Sequence, residues 1–275
     1  MTDSPQTATS APVLEFEDLH VDFALASTTV NAVRGVSFAV HAGETLAVVG
    51  ESGSGKSATA LSALRLNPEP PCVYAGGRVL LDGHDVLALC EKQLRKIRGA
   101  RISMVFQDPM TSLDPLQRVG AQVTEVLRLH GDHTRAEARR AALTALDEVG
   151  IPDPERRYGQ YPHELSGGLR QRVMIASALV ARPRVLIADE PTTALDVTVQ
   201  RQILELLVRL QQRHGMAVLL ITHDLGVVAE TADRVVVMRH GEVVETGDTE
   251  QVFNRPTAPY TRDLLAATPR LEPVA

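Results

Sequence analysis

The sequence predicts an α/β fold with a mostly parallel central sheet, an N-terminal antiparallel β subdomain and an α-helical subdomain, on three observations. Short continuous apolar runs at 45–49, 185–188 and 217–222 have the length and β-rich composition of fully buried parallel strands. The last two flank a helical stretch from about Val197 to His214, closed by Gly215, which makes a βαβ unit. Upstream, apolar residues alternate with polar ones at Leu14, Phe16, Leu19, Val21 and Phe23, then at Val33, Val36, Phe38 and Val40, as half-buried antiparallel strands do.

Taken in order, residues 1–12 are polar, without a basic residue or an apolar segment, and are expected to be a disordered leader and not a signal peptide. After the antiparallel strands, the run at 45–49 ends at a glycine-rich loop, and Ser57 to Leu66 reads as a helix stopped near Asn67-Pro68. From Leu116 to about Gln160 the pattern is helical. Thr134 and Glu137 are spaced as a capping box, and Leu143, Leu146 and Val149 follow before Gly150. This stretch is read as a helical subdomain over about 108–180, the alternative being a further layer of the same α/β domain. Val235 to Met238 and Glu242 to Val244 flank His240-Gly241 as a hairpin. Beyond it, a tail over 256–275 carries a helical stretch near Tyr260 to Ala267.

The 275 residues are 44% hydrophobic, enough for a sizeable core. With 28 Lys+Arg against 34 Asp+Glu, a net charge of -6, 3% aromatics and no Trp, the chain lacks the basic stripes and stacking rings of a nucleic-acid groove, so no nucleic-acid partner is expected. No apolar run approaches the roughly 18 residues of a membrane span, so membrane association has to go through a partner and cytoplasmic residence is expected. Cys72 and Cys90, the only cysteines, have no second pair or nearby His at ligand spacing and are expected to be ordinary thiols.

Gly50-Glu51-Ser52-Gly53-Ser54-Gly55-Lys56-Ser57 fits G-x-x-x-x-G-K-[ST] in a strand-to-helix context. Small residues let backbone N–H groups approach phosphate oxygens at a helix N-terminus, Lys56 neutralises β and γ phosphates, and the Ser57 hydroxyl can ligate Mg²⁺. Asp189 and Glu190 end an apolar strand, where ligands of open α/β sheets gather. Asp189 is the candidate metal holder and Glu190 the candidate for polarising the attacking water. Gln107 follows an expected strand, where its amide could touch metal or water. His223, directly after the run at 219–222, could donate to a γ-phosphate. Ser166 is a candidate N-cap before Gly167 and Gly168, whose bare amides make a second anion-seeking helix start. Asp196 either lines a dimer seam or caps the next helix.

On these motifs and their order, the chain resembles the ATP-binding cassette (ABC) ATPases from about Leu14 to Thr268. The resemblance implies an ABC ATPase domain over 13–255, with ATP and Mg²⁺ as cofactors. It implies a Walker A loop at Gly50 to Ser57 followed by Ala58, a Q-loop at Gln107, a signature at Leu165 to Gln171 and Walker B at Val185 to Asp189. It also implies a catalytic Glu190, a D-loop near Asp196 and a switch His223. Gln107 would serve as both catalytic and metal residue, beside Ser57 and Asp189. Two subunits of the family pack head to tail, so that Ser166 and Gly168 of one complete the other's ATP site. Phe23 is the candidate ring for stacking on adenine, with Val30 as a second candidate for contact with the base.

A narrower resemblance is to the ATP-binding subunits of dipeptide, oligopeptide and nickel importers. It rests on Phe106-Gln107-Asp108-Pro109-Met110-Thr111-Ser112-Leu113-Asp114-Pro115, on Thr222 to Glu230, and on Arg255 to Leu265 with its Pro259-Tyr260-Thr261. Leu169 stands where the signature has Met, a volume-conserving change, and Asp114 where Asn is usual. With no Cys after Cys90, no iron–sulfur cluster is expected. The resemblance implies a peripheral ATPase at the cytoplasmic face of the cell membrane. Its partners would be a homologous or identical ATPase subunit, two transmembrane permeases and, indirectly, an extracytoplasmic solute-binding protein. The competing reading, a soluble cassette acting on ribosomes or DNA, is disfavoured by a single cassette without sustained heptads.

Overall fold

A computed structural model describes residues 11–108, 112–193 and 195–267. The leader expected over 1–12 falls outside them apart from Ala11 and Pro12, as do Pro109, Met110 and Thr111 of the extended Q-loop stretch and the tail beyond Ala267.

Strands β1 (Leu14–Ala24) and β2 (Thr29–Val40) pair antiparallel and alternate buried with accessible positions, as their sequence pattern requires. The β1 strand also pairs with β4 (Cys72–Leu81), which carries the short β5 (His84–Asp85), giving a sheet of order β2-β1-β4-β5. Phe16 and Phe38 meet beneath it with ring centroids 4.5 Å apart.

The second sheet holds β3 (Thr45–Val49), β6 (Ile102–Val105), β7 (Val185–Asp189), β8 (Ala217–Ile221), β9 (Arg234–Arg239) and β10 (Glu242–Asp248), in the order β10-β9-β3-β8-β7-β6. All its pairings are parallel except β9–β10. Every residue of β3, β6, β7 and β8 is buried, which is why these strands are continuous apolar runs without alternation. His240 and Gly241, with φ of 50° and 86°, turn the β9–β10 hairpin.

Helix α1 (Lys56–Ser62) is shorter than the sequence suggests. Ala63, Leu64 and Arg65 bond back to Ala60, Leu61 and Ser62 in a tightened final turn, and Arg65 leaves it at φ 48°. Helix α2 (Glu91–Ile97) precedes β6. The stretch expected to be helical contains α3 (Val119–His130), α4 (Arg135–Glu148), α5 (Pro154–Tyr158) and a 3₁₀ turn (Pro162–Glu164). It leads into α6 (Gly167–Leu179), and Thr134 and Glu137 form the capping box at the start of α4. Buried residues of α3, α4 and α6 join Leu186 and Ala188 of β7 and the apolar stripe of α7 (Val197–His214) in one continuous cluster.

Asp196 caps α7, and Gly215, at φ 60°, ends it. Helix α8 (Leu225–Thr231) is capped by Asp224, whose carboxylate also accepts from Gln200 of α7 at 3.2 Å. Helices α9 (Thr249–Asn254) and α10 (Pro259–Ala267) close the described chain against β9 and β10.

Candidate active site

The parallel register brings the C-terminal ends of β3, β6, β7 and β8 to one edge of the sheet, and the chemistry-bearing residues follow those ends. The loop after β3 is held from outside. A Cβ on Gly50, at φ 150°, would lie 2.1 Å from the Met238 carbonyl oxygen of β9, and one on Gly55, at φ 100°, 2.4 Å from that of Ala32 on β2. Glycine is therefore obligatory at both for the loop to seat against its neighbours. The Gly241 N–H donates to Ser54 O at 3.0 Å and the Arg34 N–H to Gly241 O at 2.8 Å, tying hairpin, β2 and loop together.

Lys56 is 6% exposed, and its ammonium donates to the carbonyls of Gly50 and Glu51, each at 2.8 Å, with Ser54 Oγ at 3.4 Å. Burial pulls its pKa below the ordinary lysine value, opposed by the charges of Glu190, Asp189 and Glu51. One residue on, the Ser57 hydroxyl donates to Asp189 Oδ1 at 3.2 Å. Burial pushes the Asp189 carboxyl up, against the Ser57 hydrogen bond. This sets a buried carboxylate and an accessible hydroxyl beside a buried cation.

Glu190 leaves β7 at φ 45°, a left-handed conformation that costs a non-glycine residue about 1–3 kcal/mol, while its N–H donates to Ile221 O at 2.9 Å. That bend aims the carboxylate across the strand ends. Oε2 accepts from Gln107 Nε2 at 3.1 Å and from Thr193 Oγ1 at 2.8 Å, and Oε1 lies 3.3 Å from His223 Nδ1. Gln107, Glu190 and His223, which come from the ends of three different strands, thus converge. Thr193 was not anticipated; its one sequence signal is its place three residues after Glu190. Gln171 of α6 donates to Pro191 O at 2.6 Å, which ties the helix after Ser166 to the loop after Glu190.

The second helix start is separate. Ser166 Oγ accepts from the Leu169 N–H at 3.4 Å, as an N-cap does. A Cβ on Gly168 would come 2.9 Å from Val199 of α7, whose own N–H donates to Asp196 Oδ1 at 3.0 Å. Among the described residues no hydrogen bond joins Ser166, Gly168 or Asp196 to residues 50–57. Of the two roles considered for Asp196, capping is visible within this chain. Phe23 is half-buried on β1, paired with Val30 of β2 and Cys72 of β4, and packs on the core beneath the antiparallel sheet; Val30 is exposed.

A buried lysine in a glycine loop, set against an oxygen pair and a clamped carboxylate at the strand ends of a parallel sheet, defines a P-loop nucleoside-triphosphatase. Residues 33–193 match the family described as ABC transporter, and residues 244–275 the oligopeptide/dipeptide transporter C-terminal region. The chain is 57% identical over 262 residues to the peptidoglycan transport ATP-binding protein of Agrobacterium fabrum, covering 95% of this chain and 48% of that protein. It is 53% identical over 260 residues to the oligopeptide transport ATP-binding protein of Bacillus subtilis, covering 94% of this chain and 73% of that one. A dimeric ATP-binding cassette solved in a post-hydrolysis state with ADP and Pi superposes with a TM-score of 0.76 at 29% identity, covering 86% of this chain and 98% of its own. The chain belongs to the ABC transporter family, and it is an ATP-binding, ATP-hydrolysing cassette. Among the described residues no helix is long and apolar enough to cross a membrane.

Proposed function

We propose that this chain is the ATP-hydrolysing subunit of an importer that takes up dipeptides or oligopeptides through partner permeases. The observation that carries the ATPase role is the clamped Glu190 carboxylate, held by Gln107 and Thr193 beside His223. The match of residues 244–275 to the peptide-transporter C-terminal region, together with relatives whose names specify oligopeptide and dipeptide transport, supports the substrate class.

The loop at 50–57 would bind the phosphates of ATP, with the Lys56 ammonium compensating β and γ charge. Among the described residues no group of three or more His, Cys, Asp and Glu is placed to hold a metal. The hydroxyl, amide and carboxylate oxygens of Ser57, Gln107 and Asp189 instead suit Mg²⁺, a hard cation that takes few protein ligands beside substrate phosphates. When bound, Mg²⁺ would neutralise charge on the phosphate oxygens. Glu190 accepts a proton from, and orients, a water opposite the γ-phosphate. Gln107 and Thr193 keep its carboxylate turned toward that water, and His223 supplies a hydrogen bond at the γ-phosphate end.

Ser166 is exposed, and with Gly168 it would complete the nucleotide site of a second, homologous or identical cassette. Closure of that pair on ATP and its reopening on hydrolysis would drive the permeases. The chain would sit on the cytoplasmic face of the membrane through its two permease partners, with a solute-binding protein acting on them from the other side. In the assembled transporter, Lys56→Ala is expected to abolish ATP turnover through lost nucleotide binding. Glu190→Gln is expected to retain ATP and the closed pair while losing turnover. Full steady-state hydrolysis by Glu190→Gln would refute the assignment of the base.

A further inference from the structure

The tail that follows β10 reaches the phosphate loop. Glu245 of β10 is buried, and its carboxylate accepts from Thr257 N at 2.7 Å, Thr257 Oγ1 at 2.8 Å and Ala258 N at 3.0 Å. This clamp seats the chain just before α10. One turn on, Tyr260 is 8% exposed, its ring lies under the Arg239 guanidinium at 4.6 Å, and its hydroxyl accepts from the Glu51 N–H at 3.2 Å. Glu51 is the second residue of the loop that holds Lys56.

The peptide joining Gly50 to Glu51 is planar, and in a trans peptide its C=O and N–H point in opposite directions. The C=O side accepts from Lys56 Nζ at 2.8 Å and the N–H side donates to Tyr260. The two side chains therefore hold one peptide unit by its opposite edges. Freed on the Tyr260 side, that unit can rotate, and rotation carries away one of the two carbonyls that anchor the ammonium. Burial, first, pushes the Tyr260 phenol above its ordinary value, so the group is a neutral hydroxyl at neutral pH.

We infer that Tyr260 is a positioning residue of the phosphate loop, through which the C-terminal segment tunes the affinity of the cassette for the phosphates of ATP. It touches neither substrate nor reacting atoms; it acts through the Gly50–Glu51 peptide and Lys56. The inference rests on the nucleotide-binding role proposed for the loop.

The test compares full-length wild type, Tyr260→Phe and Glu245→Gln, measuring the Kd of a fluorescent ATP analogue together with KM and kcat for MgATP in the assembled transporter. Tyr260→Phe keeps the ring and its contact with Arg239 and removes only the hydroxyl. One hydrogen bond of ordinary net strength corresponds to a rise in Kd and KM of about three- to tenfold, with kcat within about twofold of wild type. Glu245→Gln loosens the tail without touching the loop and is expected to raise Kd in the same direction. A wild-type Kd in Tyr260→Phe, or in Glu245→Gln should Tyr260→Phe not fold, overturns the inference. A fall in kcat at unchanged KM overturns it as well. A wild-type chain that binds the analogue without hydrolysing ATP would refute the proposed function instead, leaving the Kd comparison intact.

Discussion

Gly50→Ala separates the two reasons for a glycine at the mouth of the phosphate loop. The backbone there has φ 150°, and holding alanine in such a region costs about 1–3 kcal/mol. The added methyl would also sit 2.1 Å from the Met238 carbonyl oxygen, whereas ordinary contact begins near 3.4 Å, so loop or strand must retreat by more than 1 Å. Met238 is fully buried near the end of β9, where it pairs with Val243 of β10, and β9 pairs with β3 on its other side, so the loop is the part that gives. Because Gly50 O is an anchor of the Lys56 ammonium, that retreat moves the charge, and a misplacement of this size costs about 10²-fold in rate. Gly43→Ala is the control: φ is 72° there with nothing within 4 Å of the added carbon, so backbone strain acts alone, away from the loop. Thermal denaturation and steady-state ATPase kinetics on both variants are the assay. Gly50→Ala is expected to lower Tm by about 4–10 °C and kcat/KM by about 10²-fold. Gly43→Ala is expected to lower Tm by a few degrees while keeping wild-type kcat/KM. Wild-type kinetics in Gly50→Ala would show that contact with β9 does not position the loop.

Two further outcomes are expected. Ser166→Arg places a long cation at an exposed helix start that has no bond to residues 50–57, so ATP binding by the isolated chain should stay within about twofold while cooperative turnover of the assembled pair falls about 10²-fold or more; loss of binding by the monomer would contradict a shared site. Burial opposes ionisation of Glu245, but hydrogen bonds from Thr257 and Ala258 prevail and hold its carboxyl below the usual range. A depressed folded pKa gives stability that is present above the unfolded value near 4.3 and lost as pH falls through the folded value. The Tm gap between wild type and Glu245→Gln, equivalent to about 1–2 kcal/mol at pH 7, should accordingly hold down to about pH 5 and close toward pH 3; a gap unchanged at pH 3 would mean the carboxylate charge is not what seats the tail.

The central sheet was legible because burial on both faces writes itself into β3, β7 and β8 as unbroken apolar runs, and α7 announced itself by its stripe and Gly215. The β4 strand was not, since Gly76 and Gly77 interrupt it and its pairing with β1 shifts register between Glu17 and His20. Candidate residues could be named one by one, because each motif is local. Their meeting is not local: Gln107, Glu190 and His223 converge only through the order and register of β6, β7 and β8, which no window of the sequence contains. Thr193 carries no motif of its own, and Tyr260, although it stands in the Pro259-Tyr260-Thr261 stretch, is tied to the loop at 50–57 only by what it touches.

The place of β3 in its sheet has a consequence for how the cassette comes into being. Its two neighbours, β8 and β9, are built from residues 217–221 and 234–239, while β3 itself is residues 45–49. A ribosome therefore releases the phosphate-binding loop long before the strands that brace it. Closing so long a loop is slow, because its entropy is lost before any contact repays it. A ligand stabilises only states that bind it, and in the finished fold the loop at 50–57 seats against Met238 of β9 and Gly241 of the hairpin. A chain stalled before Arg234 therefore holds residues 50–57 without the strand and hairpin against which they seat in the finished fold.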